Sequence, residues 1–139
     1  MIQLLKGNGR ESSSNLGRRL NLARTTVAAR ITRLERDGVI KGYSVKLSSE
    51  AEGASVRAYC SISVAPRSGV SVIRALGKML EVEEVSSVSG QFDYVAFLCC
   101  TSHERLDDLL DRIGNLEGVQ LTQTSVILNR KIDRRSAAC

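Results

Sequence analysis

The sequence has no tryptophan, one proline, one histidine and only five aromatic residues. Each scarcity closes off a class of function. With Phe92, Phe97, Tyr43, Tyr59 and Tyr94 as the whole aromatic complement, any core must be aliphatic, and a platform that stacks single-stranded bases is disfavoured. A single histidine, His103, leaves no Ser/His/Asp or Cys/His constellation for catalysis. The cysteines Cys60, Cys99, Cys100 and Cys139 include no C-x-x-C pair and no zinc-like spacing, so free cytosolic thiols are expected and neither metal nor cofactor is implied. Cys99, Cys100 and His103 lie close in sequence, but adjacent strand residues point to opposite faces, which argues for packing over ligation. No stretch resembles a signal peptide, and none approaches the ~18 apolar residues of a membrane span. A cytoplasmic protein with no membrane partner is the expectation.

What is present is a globular balance, 42% apolar and 25% charged over 139 residues, which suits two small domains. The net charge of +5 is unevenly placed. Residues 1–46 hold ten Lys/Arg against three Asp/Glu and residues 47–139 hold ten against twelve, so a +7 segment precedes a −2 segment. Clustered cations gain counterion release on a polyanion, so the segregation points to a nucleic-acid-binding head on a near-neutral body. A merely soluble surface explains net charge but not its position.

In the head, Leu4 and Leu5 start a short apolar stretch that Gly7, Asn8 and Gly9 end. Ser12 and Ser13 offer N-cap oxygens to a second helix whose Leu16 and Leu20 share its core side. Asn21 falls where the chain must turn sharply, and asparagine tolerates left-handed backbone better than other non-glycine residues. A third helix is predicted from about residue 24 to 37, with Val27, Ile31 and Leu34 as its apolar stripe and Gly38 as its stop. The remaining surface is small hydroxyls, methyls and guanidiniums. Such a helix approaches base edges closely, its arginines fork onto guanine, and its methyls meet the thymine methyl. Arg24, Thr25, Thr26, Ala29, Arg30, Arg33 and Arg36 are therefore the candidate contacts to double-stranded DNA. A charge run is more often a solvated face, but such faces intersperse acids, and here Glu35 and Asp37 are the only ones. At the helix end they oppose the macrodipole, so pairing with neighbouring arginines is their expected role. Residues 39–47 read as an extended segment, either a wing beside the DNA or a strand that pairs with a second copy.

From residue 57 the apolar period becomes two: Ala58, Cys60, Ile62 and Val64 on one face, Arg57, Tyr59, Ser61 and Ser63 on the other. Pro66 breaks this strand and Ser68 offers a cap to a helix with Val72, Ile73, Leu76, Met79 and Leu80 as its buried stripe. Residues 85–89 read as a second strand and Tyr94–Cys100, continuously apolar, as an interior one. Thr101 and Glu104 form a capping box for a helix with Leu106, Leu109, Leu110, Ile113 and Leu116 at helical spacing, and residues 119–128 read as a last strand. The order βαββαβ is a ferredoxin-like arrangement, an antiparallel sheet with two helices on one face. Its semi-polar open face is expected to meet another subunit or a ligand.

The stretches GRESSSNLGRRLNLARTTVAARITRLERDGVIKGYSVKL, VSGQFDYVAFL and LEGVQLTQTSVIL, taken together, resemble feast/famine regulators of the Lrp/AsnC type over nearly the whole chain. The resemblance implies an α+β transcription factor in three parts. Residues 1–38 form a winged-helix-like helix-turn-helix domain, residues 39–56 a linker strand and hinge that pairs two subunits, and residues 57–139 a ferredoxin-like (RAM) domain. That last domain binds a small effector, commonly an amino acid, and assembles homodimers into higher oligomers such as octamers. In the family the effector lies near the G-x-x-D loop, here Gly90 to Asp93, and near the last strand, at contacts between subunits. Carried over, the candidates are Ser89, Gly90, Gln91, Asp93, Thr122, Thr124 and Ser125. Loop amides can receive a carboxylate and Asp93 can accept from an ammonium group; alternatively, Gly90 and Asp93 merely build a tight strand-to-strand turn.

Three features depart from the family pattern. Ala23 stands where a capping Ser is usual, Gly17 where Ala is, and the first helix is short, without the usual acidic residue before it. Each of the first two costs ~1 kcal/mol, which Thr25 or Thr26 offsets in part. Relatives of the family include haem-pathway decarboxylases of the same two-module fold, and a metabolite-binding body with a weak head is a further alternative. The lone histidine argues against the first and the retained Arg24, Arg30, Arg33 and Arg36 against the second. The expected function is a sequence-specific, effector-responsive DNA-binding transcriptional regulator, not an enzyme.

Overall fold

The computed structural model describes residues 1–48 and 53–134. Residues 49–52 of the expected linker, and residues 135–139 of the expected body, with Cys139, lie outside the described residues. The chain divides into two compact units, one built on Met1–Lys46 and the other on Leu47–Arg130.

The first unit is α1 (Ile2–Gly7), α2 (Ser13–Leu20) and α3 (Arg24–Arg36). The Ser12 hydroxyl accepts from the Asn15 N–H at 3.1 Å and starts α2 as its sequence predicts. Asn21 ends it in the left-handed region, at φ 55° and ψ 47°, and folds the chain back so that the Leu22 N–H donates to the Gly17 carbonyl at 2.8 Å. Leu16 and Val27 are fully buried and form the centre of a very small core, with Ile31 and Leu34 half-buried beside them. Gly17 is more than a weak point in α2. A Cβ built there would stand 2.6 Å from the Leu22 carbonyl oxygen, so the tightness of this turn requires glycine. The α3 N-cap, Ala23, contributes no side-chain bond, and among the described residues none from Thr25 or Thr26 replaces it. The expected compensation by those threonines is not found, because both hydroxyls sit on the exposed side of the helix.

The second unit is a four-stranded antiparallel sheet of β1 (Val56–Val64), β2 (Val82–Ser87), β3 (Tyr94–Cys100) and β4 (Val119–Val126), in the order β2-β3-β1-β4. Helices α4 (Gly69–Gly77) and α5 (His103–Gly114) cover one face and complete the ferredoxin-like βαββαβ fold. Between them and the sheet lies an aliphatic core: Ala58, Cys60 and Ile62 from β1, Ala96 and Leu98 from β3, Val72 and Leu76 from α4, and Leu106, Leu109 and Ile113 from α5. Burial pushes the Cys60 thiol above its usual range and does the same to Cys100, so both pack as protonated apolar groups. Among the described residues no helix is long and apolar enough to cross a membrane, and no group of three or more His, Cys, Asp or Glu is gathered to hold a metal ion.

Several local expectations shift. Residues 41–48 form no regular element: a strand needs a neighbouring edge, and among the described residues no strand pairs with this segment. Leu80 is 96% exposed because α4 ends at Gly77, before the spacing that would have buried it. Ile73, on the flank of the same stripe, is also exposed. Ser68 precedes α4 in an α-region backbone and its side chain makes no cap bond. The cap of α5 is Ser102, not Thr101: its hydroxyl accepts from the Arg105 N–H at 3.1 Å, with Glu104 left in the first turn to favour the helix dipole. β2 starts at Val82, earlier than its weak pattern suggests, while Val88 and Ser89 lie in the turn after it.

Replacing Gly17 by alanine gains helix propensity of about 1 kcal/mol but forces a methyl against backbone, an overpacking that costs about 1–3 kcal/mol. Gly17→Ala is expected to lower the melting temperature of the first unit; a raised melting temperature by circular dichroism would show that the turn relaxes freely.

Candidate DNA-binding face and effector-binding loop

On α3, burial of Val27 turns the opposite side outward, and Thr25, Ala29, Arg33 and Arg36 recur there at four-, four- and three-residue steps. All seven candidate DNA contacts are exposed. They do not form one stripe. Arg30 turns toward α1, where with Arg33, Leu34 and Asp37 it lines a groove against Met1 and Ile2. Arg24 lies at the helix start and joins Ser14, Arg18 and Asn21 around a shallow polar recess at the turn. The outward stripe suits base edges, and the flanking arginines and the recess suit phosphate oxygens.

The two acids at the end of α3 have different roles. Asp37 pairs with both neighbours, 3.7 Å from Arg33 Nε and 3.5 Å from Arg36 Nε. Glu35, expected to pair with arginine too, instead accepts from the Tyr43 hydroxyl at 2.7 Å. The phenol ring also lies 3.5 Å from where a Cβ on Gly9 would stand. Tyr43 therefore pins the segment that follows α3 against both α3 and the loop after α1. Sequence reading missed this residue, and the signal available was an aromatic set in an otherwise polar, glycine-bearing stretch. The hydrogen bond to Glu35 holds the Tyr43 phenol above its ordinary pKa of 10.0, with smaller contributions from partial burial and from the carboxylate charge.

In the second unit, Ser89, Gly90 and Gln91 are exposed in the turn between β2 and β3. Asp93 is exposed as well, but its carboxylate already accepts from the Val64 N–H at 2.9 Å. The last-strand candidates separate by face. Thr122 and Thr124 pair with Ile62 and Cys60, on the helix-covered side. Ser125 pairs with Tyr59 on the open side. Thr122 shares a row with Ile62 and Tyr94, so it stands two strands from the residue that follows the loop, about 10 Å away.

On that open face Phe97 is only 7% exposed although no helix covers it. Tyr59 packs on its ring with centroids 5.2 Å apart, and the Arg130 guanidinium lies 5.6 Å from its centroid. The continuous apolar run of β3 was the sequence signal that both of its faces are covered, although nothing in the sequence points to Arg130 as part of the cover. Cys99 and Cys100 fall on opposite faces, against Arg57 and Val56.

Residues 57–137 match the Lrp/AsnC ligand binding domain, and residues 1–41 match the winged helix-turn-helix DNA-binding family. The chain is 34% identical to HTH-type transcriptional regulator LrpA of Mycobacterium tuberculosis, over 93% of this chain and 86% of that protein. It is 31% identical to HTH-type transcriptional regulator FL11 of Pyrococcus furiosus, over 92% and 85%. Two similar solved structures contain L-methionine. One is a feast or famine regulatory protein of M. tuberculosis, 32% identical with a TM-score of 0.79, covering 96% of this chain and 91% of that one. The other is a transcriptional regulator of Neisseria meningitidis, 26% identical with a TM-score of 0.84, covering 96% and 89%. A helix-turn-helix unit followed by a ligand-binding domain defines a transcriptional regulator. This chain belongs to the Lrp/AsnC family of such regulators.

The Tyr43 hydrogen bond needs a neutral phenol. Because the folded pKa is raised, its contribution is fully present below the ordinary value of 10.0 and is lost as pH rises through the folded one. In an NMR titration of the Tyr43 ring, Glu35→Gln is expected to bring the midpoint down toward the ordinary value. Equal midpoints in the two proteins would mean that the contact does not persist in solution.

Proposed function

We propose that this chain is a sequence-specific DNA-binding regulator of the cytoplasm that responds to an amino acid and works as a homodimer assembling to an octamer. The outward face of α3 carries this reading: an exposed array of threonine, alanine and arginine, in a unit of segregated positive charge, on a helix held by a left-handed turn at Asn21. Arg24, Thr25, Thr26, Ala29, Arg30, Arg33 and Arg36 are its proposed DNA contacts. The pairs that Arg33 and Arg36 make with Asp37 are exposed and weak, so exchanging them for phosphate or guanine costs little. In domain terms, residues 1–38 read DNA, residues 39–56 connect, and residues 57–139 bind effector and assemble.

For the effector, Ser89, Gly90, Gln91, Thr122, Thr124 and Ser125 are the proposed contacts, and Asp93, whose carboxylate is engaged by the Val64 N–H, closes the loop that carries the first three. The L-methionine complexes of relatives support an amino acid and supply the first probe. Two strands separate the loop from Thr122, and Ser125 faces away from Thr122 and Thr124, so a single amino acid does not span them within one chain. That separation favours a site completed by a second copy. The same second copy would cover the open sheet face, where Tyr59 and Leu121 are exposed. It would also offer an edge to residues 39–47.

In a titration against operator DNA, Arg33→Ala is expected to weaken binding and to lower the salt slope by roughly one counterion, with oligomer mass unchanged. Unchanged affinity and slope would remove α3 as the reading element. L-Methionine at about a hundred times its dissociation constant is expected to stabilise the protein by ~2.7 kcal/mol and raise its melting temperature by several degrees. A melting temperature that no amino acid of a full panel shifts would count against the effector assignment.

A further inference from the structure

The regular β1–β3 ladder ends at the pair Ile62 and Tyr94, and the residue that closes it is Asp93. The Asp93 N–H donates to the Ile62 carbonyl at 3.0 Å, and the Asp93 carbonyl accepts from the Val88 N–H at 3.0 Å. Its carboxylate Oδ2 accepts from the Val64 N–H at 2.9 Å. On the other side of β1 the register with β4 shifts at this same place, Ser63 pairing with Leu121 and Val64 with Val119. Val64 thus lies past the end of one ladder and beside an irregularity in the other, where its amide has no partner on β3 in the regular register. The Asp93 carboxylate supplies one, in a charge-assisted hydrogen bond.

Three hydrogen bonds from one residue fix where the turn leaves β2, where it enters β3 and how it lies against β1. Gly90 adopts φ 110° with open space where a Cβ would stand, so glycine is required there by backbone conformation and not by packing. The loop that carries Ser89, Gly90 and Gln91 is therefore shaped at its centre by Gly90 and anchored at its end by Asp93.

We infer that Asp93 is a positioning residue for the effector loop: its carboxylate holds the loop to the end of β1 and is not the counter-charge for an effector's ammonium group. The functional half of this inference rests on the effector reading above, and the structural half on the Val64 contact alone. Asparagine at this position keeps an oxygen acceptor of the same reach and removes the charge. Alanine removes both.

The experiment compares Asp93→Asn with Asp93→Ala in the full chain, following amide hydrogen exchange at Val64 in the free protein and L-methionine affinity by calorimetry. Asp93→Asn is expected to keep Val64 protected and methionine affinity within about three-fold, whereas Asp93→Ala speeds Val64 exchange and weakens methionine by roughly ten-fold or more. Lost methionine affinity in Asp93→Asn with Val64 still protected overturns the inference, because only the charge has gone. Unchanged Val64 exchange in Asp93→Ala overturns it equally. If Asp93→Ala does not fold, Asp93→Asn decides by the same two readouts. If the unmodified protein takes up no methionine, that failure falls on the effector reading, and Val64 exchange in the variants still decides whether the carboxylate holds the loop.

Discussion

Burial of a single face of the four-stranded sheet is the constraint on which the second unit depends. In a strand the side-chain period is two, so once Ala58, Cys60 and Ile62 are committed to the helix-covered face, every facing position on β3 and β4 is committed with them. A slip of one residue would carry the whole aliphatic set to the open side. That single commitment decides the chemistry of both faces. Thr122 and Thr124 are drawn in beside the core, while Tyr59, Phe97 and Ser125 are sent out to a face that no helix covers. The partial shielding of Phe97 by Tyr59 and Arg130 is then what the chain's own side chains can do for an aromatic ring left on that side.

The first unit answers to a different constraint, the tightness of one turn. Among the described residues its fully buried apolar side chains are Leu16 and Val27, too few to hold three helices by area alone. The left-handed Asn21 and the missing side chain at Gly17 bring the Leu22 carbonyl close to α2, which brings α3 down onto Leu16. Read from the sequence, Gly17 was a cost in helix propensity. In the structure that cost is inseparable from the geometry that presents Arg33 and Arg36.

The sequence was most legible where one local rule acts alone. The limits of β3, the cap at Ser12 and the conformation of Asn21 follow from periodicity or from the preference of a single residue type, and the structure has them as expected. Legibility failed where a partner far along the chain decides. Glu35 was assigned to arginines beside it, and its partner is a tyrosine that the chain brings back from beyond the helix end. Asp93 looks like an exposed acid in a turn until its contact with Val64, 29 residues away, is seen. The pattern of residues 39–47 is that of a strand, but a strand is a property of two segments, and among the described residues no second one lies beside it. Thr101 and Ser102 are equivalent as caps by composition, and only the extended backbone at Ser102 separates them. Among the effector candidates, the loop was legible from its glycine and the faces of β4 were not, because facing follows from register with β1.

The uneven charge that first marked the head acquires a sharper meaning from these contacts. A small unit with a two-residue centre and no side-chain cap on α3 has little intrinsic stability to spend on binding, and its arginines are partly engaged by Asp37. In the proposed dimer, affinity for DNA would depend on how many such heads are presented together and at what spacing, since a second head joined through a folded partner binds at high effective concentration. Pairing of the bodies, as proposed, would supply that presentation without altering any residue of the reading helix. Tyr43 ties the first residues after α3 back to Glu35 near the helix end, and so fixes the path on which the chain leaves α3. In the proposed dimer, control exerted in the acidic body would reach the basic head through the pairing of the bodies, and so the two halves can carry opposite charge and separate chemistry.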